Sequence, residues 1–283
     1  MGNGLSINLK GSESIREAGN MKITTLMENT ACADCYAAEH GLSLFIETKT
    51  KTILFDSGPS EAFAANAEKL GVDLGKADIA VLSHGHYDHS GGLLRFLQLN
   101  GKAPVYMQKD AFEEHFNNQM KDIGVDPMLR NSDRIVFTDG EQPLAEGVTL
   151  YTCNGAKLAR PIETNGMTVK RDGVLYPEDF RHEQYLLIEE EGRRYLFSGC
   201  SHKGIINITN WFRPDVLVGG FHFMGVALDE AGKAFLTEAA ETLCGFETTY
   251  YTGHCTGVEQ YEFMKNLMGG KLHYISSGSV VEV

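Results

Sequence analysis

The chain has 283 residues, of which 42% are hydrophobic and 22% are charged, a composition typical of a soluble globular protein. Asp and Glu number 38 against 25 Lys and Arg, so the formal net charge is -13. This charge disfavours nucleic-acid binding, which depends on neutralising phosphates. Because no stretch is apolar enough for a membrane span and the first residues lack an export signal, we expect a cytoplasmic protein with no membrane partner.

Residues 1–20 predict a polar N-terminal extension, and residues 21–283 predict a single domain. Residues 154–181 form a long polar segment that carries several Lys and Arg, which is typical of a functional or mobile insertion. Six cysteines in a chain without a secretion signal indicate free thiols. Cys32 and Cys35, spaced as C-x-x-C, are interpreted as two loop thiols, with a metal or redox pair as the alternative.

Apolar runs separated by turn residues predict strands along the chain. In chain order the predicted strands are 23–27, 42–47, 52–56, 79–83, 104–107, 147–153, 185–189, 194–198, 215–219, 249–252 and, as the last strand, 271–275. Apolar residues at helical spacing predict helices at 60–70, 93–99, 235–243 and 258–267. Strands and helices come in two successive rounds, which predicts an α/β fold in which two packed sheets lie between helices, a four-layer αββα sandwich.

The strongest functional signal is the string HGHYDH at residues 84–89, directly after the predicted strand 79–83. Imidazole and carboxylate groups are ligands of zinc and related transition metals. Residues two apart in an extended segment point the same way. His84 and His86 are therefore expected to hold one ion, and Asp88 and His89 a second.

Further candidate ligands lie next to strand ends in the second half of the chain. They are Cys200, His202, His222 and His254, which follow predicted strands, and His182, which precedes one. Because strand ends at one edge of packed sheets converge, we expect these side chains to line one cleft with the HGHYDH string. His40, His115 and His273 lack such a setting and are interpreted as ordinary surface or core histidines.

Together with ILFDSG at residues 53–58, the string SHGHYDHSGG at residues 83–92 resembles the metallo-β-lactamase superfamily. Proteins of that superfamily carry one or two metal ions at the edge of an αββα sandwich. The resemblance covers nearly the whole chain from residue 21. The strings MENT, AEHGLSLFIET, FSGCSHKGIINI, GGFH and TGHCTG are similar to a branch named for an archaeal dihydropterin synthase of methanopterin formation. Other members of the branch are mostly known as metal-dependent hydrolases.

The resemblance implies a ligand set for each ion. The first ion would be bound by His84, His86 and His182, and the second by Asp88, His89 and His254. A bridging Asp is usual where this chain has Cys200, and a thiolate bridges two hard ions less well, so His202 is a rival ligand. Asp56 matches a position that supports a ligand by a hydrogen bond. The implied cofactor is one or two divalent transition-metal ions, with zinc expected and iron or manganese as alternatives.

Two such ions would activate water by lowering its pKa toward about 7 and would polarise an ester, amide or phosphoryl oxygen. Asp88 is the candidate catalytic residue, because it can both ligate an ion and carry a proton to the leaving group. His202, Lys203 and His222 are candidates for binding the anionic group of a small substrate, or for serving as alternative ligands. Arg160, Lys170 and Arg181 of the segment 154–181 are expected to reach the same substrate.

Three functions are compatible with these features. The first is a metal-dependent hydrolase of a small ester or phosphate-containing substrate. The second is a transferase that releases pyrophosphate from a pterin diphosphate, with Trp211, Phe221 and Phe223 as candidate pocket walls. The third is an iron-dependent oxidoreductase, which is disfavoured because related di-iron proteins usually have a carboxylate where this chain has His86. The sequence leaves the substrate, the native metal and the oligomeric state open.

Overall fold

The computed structural model describes residues 21–283, so the extension predicted for residues 1–20 lies outside the described residues. Seventeen strands form within the described part of the chain: β1 Lys22–Met27, β2 Ser43–Glu47, β3 Thr52–Phe55, β4 Ile79–Val81, β5 Val105–Gln108, β6 Glu114–Phe116, β7 Ile135–Thr138, β8 Glu141–Ala145, β9 Val148–Tyr151, β10 Thr168–Arg171, β11 Val174–Pro177, β12 Tyr185–Glu190, β13 Arg193–Phe197, β14 Val216–Val218, β15 Thr249–Thr252, β16 Leu272–Tyr274 and β17 Val280–Glu282. The α-helices of the same residues are α1 Ala62–Lys69, α2 Tyr87–Ser90, α3 Leu93–Leu99, α4 Ile205–Phe212, α5 Glu230–Cys244 and α6 Val258–Met268. Short 3-10 turns occupy Leu74–Lys76, Lys109–Phe112, Pro127–Asn131, His254–Thr256 and Gly269–Lys271.

Two seven-stranded sheets form the framework. Their strand orders are β17-β1-β2-β3-β4-β5-β7 and β16-β15-β14-β13-β12-β9-β8. Strands β3, β4 and β5 are parallel in the first sheet, and β13 to β16 are parallel in the second. Parallel neighbours bring their C-terminal ends to one edge of each sheet, and the candidate ligands follow these ends.

Alternating side chains build the core of the sandwich. In β2, Leu44 and Ile46 pack in the cluster that both sheets share, whereas Phe45 between them packs with the helices on the outer face. Phe63 of α1 and Phe96 of α3 cover that outer face. Helices α4, α5 and α6 cover the outer face of the second sheet in the same way. The order of layers confirms the predicted αββα sandwich.

Every predicted strand and helix has a counterpart in the structure, but several elements were not predicted. Helix α4 has the sequence IINITNWF, whose β-branched residues do not favour a helix. It forms because Ile205, Ile208 and Phe212 share one buried face. The strand predicted as the last one is followed by β17, whose antiparallel partner is β1 at the other end of the described chain. Such a long-range pairing leaves no local pattern.

The polar segment 154–181 contains two strands that were not predicted, β10 and β11. With β6 they form a separate three-stranded sheet in the order β11-β10-β6. Ile123, Met167 and Phe180 pack together as its small apolar cluster. Because β6 carries His115, this sheet brings a further histidine toward the candidate ligands.

Within residues 21–283, none of the helices is long and apolar enough to cross a membrane. All six cysteines lie in this part of the chain and are free thiols, with Cys32 and Cys35 exposed.

Candidate metal centre

His182 lies just before β12, and the other candidate ligands lie just beyond the ends of β4, β13, β14 and β15. In this order they are residues 84–89, residues 200–202, His222 and His254. His222 and His254 have left-handed backbone conformations, with φ of 60° and 49°. For a residue other than glycine, this backbone conformation destabilises the folded state by about 1–3 kcal/mol, and such strain is typical of functional sites.

Asp88, His89 and His254 bring their ligand atoms close together in this region. The Nε2 atoms of His89 and His254 lie 3.2 Å apart. Oδ2 of Asp88 lies 3.4 Å from Nε2 of His254 and 3.8 Å from Nε2 of His89. Sγ of Cys200 lies 3.2 Å from Nε2 of His89. All four side chains are buried, so four donor atoms of the kinds that zinc binds meet in one place.

Hydrogen bonds at Nδ1 determine the tautomers of the two histidines. Nδ1 of His89 lies 2.7 Å from Oδ2 of Asp56, and an ionised carboxylate only accepts, so Nδ1 donates. Nδ1 of His254 lies 2.8 Å from Oδ1 of Asn29, which also accepts from the N–H of Gly41. Nδ1 of His254 is therefore a donor too. When both rings are neutral, both Nε2 atoms carry lone pairs and face each other.

Burial and neighbouring charges shift the pKa values of these three side chains in different directions. Burial lowers the pKa of His254 to about 4, so its ring is neutral near pH 7. Burial opposes the charged form of His89, but the carboxylates of Asp56 and Asp88 raise its pKa above the ordinary value. Burial disfavours the ionised form of Asp88, yet the two histidines beside it hold the pKa of its carboxyl below the usual range.

Asp56 supports two candidate ligands by hydrogen bonds. Besides its bond to His89, its carboxylate accepts from the backbone N–H and the hydroxyl of Ser83, each at 2.7 Å. Because the Ser83 hydroxyl donates to Asp56, its oxygen accepts from Nδ1 of His84 at 2.8 Å. The Nε2 atom of His84 is thereby left free for a ligand.

A second group of imidazoles surrounds His86. Two sets of three ligand atoms occur here, and within each set the atoms lie within 4.8 Å of one another. The sets are His84, His86 and His202, and His86, His115 and His182. Each of these five histidines has a buried Nε2 atom without a hydrogen-bond partner. Burial lowers the pKa of four of them well below the ordinary value, namely His84, His86, His182 and His202. Neutral, unpartnered imidazoles are suited to binding a transition metal.

Two histidines that the sequence indicated to be ordinary lie at this site. His115 on β6 contributes to the second group, and Nε2 of His40 lies 3.5 Å from Oδ2 of Asp88. Neither residue directly follows a strand of the two large sheets, so the strand-end pattern does not identify it. His273 takes part in none of these groups, and its Nε2 lies 2.8 Å from the carbonyl oxygen of Gly270.

His202 and His222 lie side by side, with ring centroids 4.4 Å apart. The ring of His202 stacks on Phe180 at 4.4 Å, and Nδ1 of His222 lies 3.0 Å from the side-chain amide of Asn165. Both histidines line a cavity of about 550 Å³, called the metal cavity below. Its wall also contains Asp88 and Cys200. This position is compatible with either role predicted for His202 and His222, ligand or substrate binder.

The predicted basic residues of the segment 154–181 are paired with carboxylates. Arg160 pairs with Glu238, Lys170 with Glu114 and Arg181 with Asp110. Arg160 also lines a second cavity of about 320 Å³, which shares His202 and His222 with the metal cavity.

Lys203 lines a separate cavity with Asn154. Its ammonium donates to the carbonyl oxygen of Thr152 at 2.7 Å, to Oδ1 of Asn154 at 2.7 Å and to the carbonyl oxygen of Glu183 at 3.1 Å. Burial lowers its pKa, and the Glu183 carboxylate opposes this shift. These contacts indicate a structural group, although the sequence indicated a substrate-binding one.

Replacing Lys203 with Met is expected to lower the free energy of unfolding by about 2–4 kcal/mol, because buried oxygens lose their donor and a buried carboxylate loses its counter-charge. Metal content and KM are expected to stay unchanged. Urea unfolding, elemental analysis and steady-state kinetics check these outcomes. A raised KM with unchanged stability would instead restore the predicted substrate role.

Comparison with known proteins agrees with this fold. Residues 37–155 match the family model of the metallo-beta-lactamase superfamily. The crystal structure of a metal-dependent hydrolase of the beta-lactamase superfamily superposes with a TM-score of 0.76 at 28% identity, covering 93% of this chain and 99% of that chain. Residues 37–155 therefore resemble the metallo-β-lactamase superfamily, and the fold of nearly the whole chain is similar to that of this hydrolase. Members of that superfamily bind divalent metals and are mostly metal-dependent hydrolases.

Two proteins of Methanocaldococcus jannaschii are similar to the chain over most of its length. One is an uncharacterized protein, 28% identical over an alignment of 247 residues that covers 83% of this chain and 90% of that protein. The other is 7,8-dihydropterin-6-methyl-4-(beta-D-ribofuranosyl)-aminobenzene-5'-phosphate synthase, 26% identical over an alignment of 306 residues that covers 95% of this chain and 99% of the synthase. The predicted resemblance to the branch named for that synthase is confirmed.

Proposed function

We propose that this protein is a metal-dependent hydrolase that uses one or two divalent transition-metal ions to cleave a small ester or phosphate-containing substrate. The observation that carries the proposal is the pair of Nε2 atoms of His89 and His254, which face each other at 3.2 Å with both Nδ1 atoms engaged as donors. Nitrogens bound to one tetrahedral zinc ion lie about 3.3 Å apart. A shared proton would form a hydrogen bond between these two nitrogens only. A metal ion could in addition be bound by the carboxylate of Asp88 and the sulfur of Cys200.

The proposed ligands divide between two ions. The first ion is assigned to His84, His86 and His182, and the second to Asp88, His89, His254 and Cys200, with His202 as a rival ligand. Imidazole and thiolate favour zinc or iron over magnesium, calcium or manganese. Burial raises the pKa of the Cys200 thiol, and a bound cation would act in the opposite direction by stabilising the thiolate. Zinc is therefore the expected metal.

When bound, ions of this kind lower the pKa of water and polarise the oxygen of the group under attack. Asp88 supplies the proton transfer in the proposed mechanism. Its carboxylate lies in the wall of the metal cavity, where it can accept a proton from water and pass it to the leaving group. Asp56 and Asn29 keep the rings of His89 and His254 oriented throughout.

The metal cavity supports a small-molecule substrate with an anionic group. Its volume of about 550 Å³ is in the usual range for such ligands. Besides the candidate ligands, its wall offers the side-chain amides of Asn117, Asn118 and Asn165 and the imidazole of His222. These groups can donate hydrogen bonds to an ester or phosphate oxygen while the ions supply the positive charge. The acidic net charge of the chain continues to disfavour a nucleic-acid substrate.

One observation favours the transferase as a second candidate. The cavity that adjoins the metal cavity is lined by Phe221 and Phe223, two of the three aromatic residues predicted to bind a pterin ring. The third, Trp211, lies elsewhere and donates from Nε1 to the carbonyl oxygen of Lys157. Similarity to the archaeal synthase agrees with this alternative, in which an arylamine takes the place of water.

Purified protein is expected to contain one or two equivalents of zinc per chain and to hydrolyse a member of a panel of phosphodiesters and lactones. Elemental analysis and a chromogenic screen measure both outcomes. A parallel assay with a pterin diphosphate and an arylamine, read as pyrophosphate release, separates the transferase from the hydrolase. If no transition metal copurifies and none can be restored, the proposal fails.

A further inference from the structure

His115 is a buried histidine that neither the sequence pattern nor the proposed ligand sets include. It lies on β6 and is 0% exposed. Its Nδ1 atom lies 2.7 Å from Oε2 of Glu178. The other oxygen of that carboxylate accepts from the backbone N–H groups of Asp179 and Phe180, each at 3.0 Å. Glu178 is thus a fixed acceptor, and Nδ1 of His115 is the donor.

The remaining ring nitrogen of His115 has no hydrogen-bond partner. Its Nε2 atom is buried, and so is the unpartnered Nε2 atom of His86. A buried nitrogen left without a partner costs about 1–3 kcal/mol. The ligand atoms of His86, His115 and His182 lie within 4.8 Å of one another, so one ion can relieve several unpartnered nitrogens.

Backbone contacts hold His115 against the HGHYDH segment. A Cβ atom at Gly85 would lie 2.3 Å from the carbonyl oxygen of Ala111, so only glycine permits the segment to pack on the turn that precedes β6. The N–H of Tyr87 donates to the carbonyl oxygen of Ile123 at 2.8 Å, and the N–H of Ile123 donates to that of His115 at 2.9 Å. His86 and His115 are therefore placed by the same backbone network.

The tautomer of His115 leaves Nε2 unprotonated, whereas that of His182 does not. The N–H of Gly85 donates to Nδ1 of His182 at 2.8 Å, so the neutral ring of His182 carries its proton on Nε2. That nitrogen has to lose its proton, or the ring has to turn, before it can bind an ion. Nε2 of His115 needs neither change, because Glu178 already holds the proton at Nδ1.

We propose that His115 is a ligand of the first ion, which it binds together with His86, and that Glu178 is the positioning residue that holds its ring. The assignment rests on the proposed function, because it adds a ligand to the metal centre described there. Carboxylate, histidine and metal in a row form the arrangement by which proteins usually orient an imidazole ligand. The three-stranded sheet thereby becomes part of the metal centre.

The test measures metal affinity directly, by competition of metal-free protein with a chromophoric chelator for zinc, and by the visible absorption of the cobalt(II) form. His86→Ala and His115→Ala are each expected to weaken binding of one ion by roughly 100-fold or more and to change the cobalt(II) spectrum. Glu178→Gln is expected to weaken it by about 10- to 100-fold. His273→Ala is the matched control and is expected to leave both readouts unchanged.

The inference is wrong if His115→Ala binds both ions with wild-type affinity and spectrum while His86→Ala loses one, and in that case the proposed function still stands. Wild-type protein that binds no transition metal would overturn both. If thermal unfolding shows that His115→Ala does not fold, His115→Gln and Glu178→Gln decide the question, and wild-type affinity in both overturns the inference.

Discussion

Replacing Asp88 with Asn is expected to remove one bound ion and to lower the hydrolysis rate by roughly 10³-fold, which corresponds to about 4 kcal/mol of transition-state stabilisation. Oδ2 of Asp88 lies 3.4 Å from Nε2 of His254 and faces the metal cavity. An amide in its place keeps the shape but removes the negative charge that favours a cation and the oxygen that accepts a proton. Both the second ion and the proton transfer therefore depend on this side chain.

The measurement combines elemental analysis with turnover of whichever substrate the screen identifies. Asp133→Asn is the matched control, because Asp133 is exposed and the charge change is the same. It is expected to keep full metal content and activity. Retention of two ions and wild-type turnover by Asp88→Asn would contradict the role of Asp88 as both ligand and proton carrier.

Removing the metal with a strong chelator is expected to lower the free energy of unfolding by about 4 kcal/mol, for an ion present at 1,000 times its Kd. The physical reason is that several buried imidazole nitrogens lie close together without a hydrogen-bond donor or a cation to bind. The Nε2 atoms of His89 and His254 face each other, and those of His84 and His86 have no hydrogen-bond partner. Each such buried group destabilises the folded state unless a cation balances it.

Scanning calorimetry before and after chelation measures the effect, and added zinc is expected to restore the original Tm. Magnesium is the matched control and is expected to restore little, because imidazole and thiolate ligands suit softer ions. An unchanged Tm after complete removal of the metal would mean that the histidine cluster is stable without an ion.

Much of the fold could be predicted from local patterns. The apolar runs LSLFIE and IAVLS, each next to turn residues, predicted β2 and β4. Helix α4 was not predicted, because the β-branched residues Ile205 and Ile208 favour a strand locally. The helix forms because its apolar face is buried in the cluster that also contains residues of α5 and α6. Strand β17 escaped it, because its partner β1 is distant in sequence.

Some residues of the candidate site could likewise be predicted from local patterns, and others could not. The grouping of Asp88, His89 and His254 was predicted from strand ends and family resemblance, and the structure brings these side chains together. The neighbourhood of His115 could not be predicted, since it depends on a sheet formed by β6, β10 and β11. Lys203 was predicted to bind substrate from its position beside Cys200 and His202. The direction of its side chain depends on the acceptors Thr152 and Glu183, which no local pattern reveals.

The sequence by itself determined the layer order of the fold, the strand ends that carry the candidate ligands and the kind of chemistry that imidazole, carboxylate and thiolate groups support. These properties depend on periodicity and residue type, which act over a few neighbouring residues. Only the tertiary structure decided which Nε2 atoms meet, which tautomers the hydrogen bonds impose and which histidines join the site from distant strands. Those outcomes depend on packing between residues far apart in the chain, where a hydrogen bond from Asp56 or Glu178 determines which ring nitrogen is free.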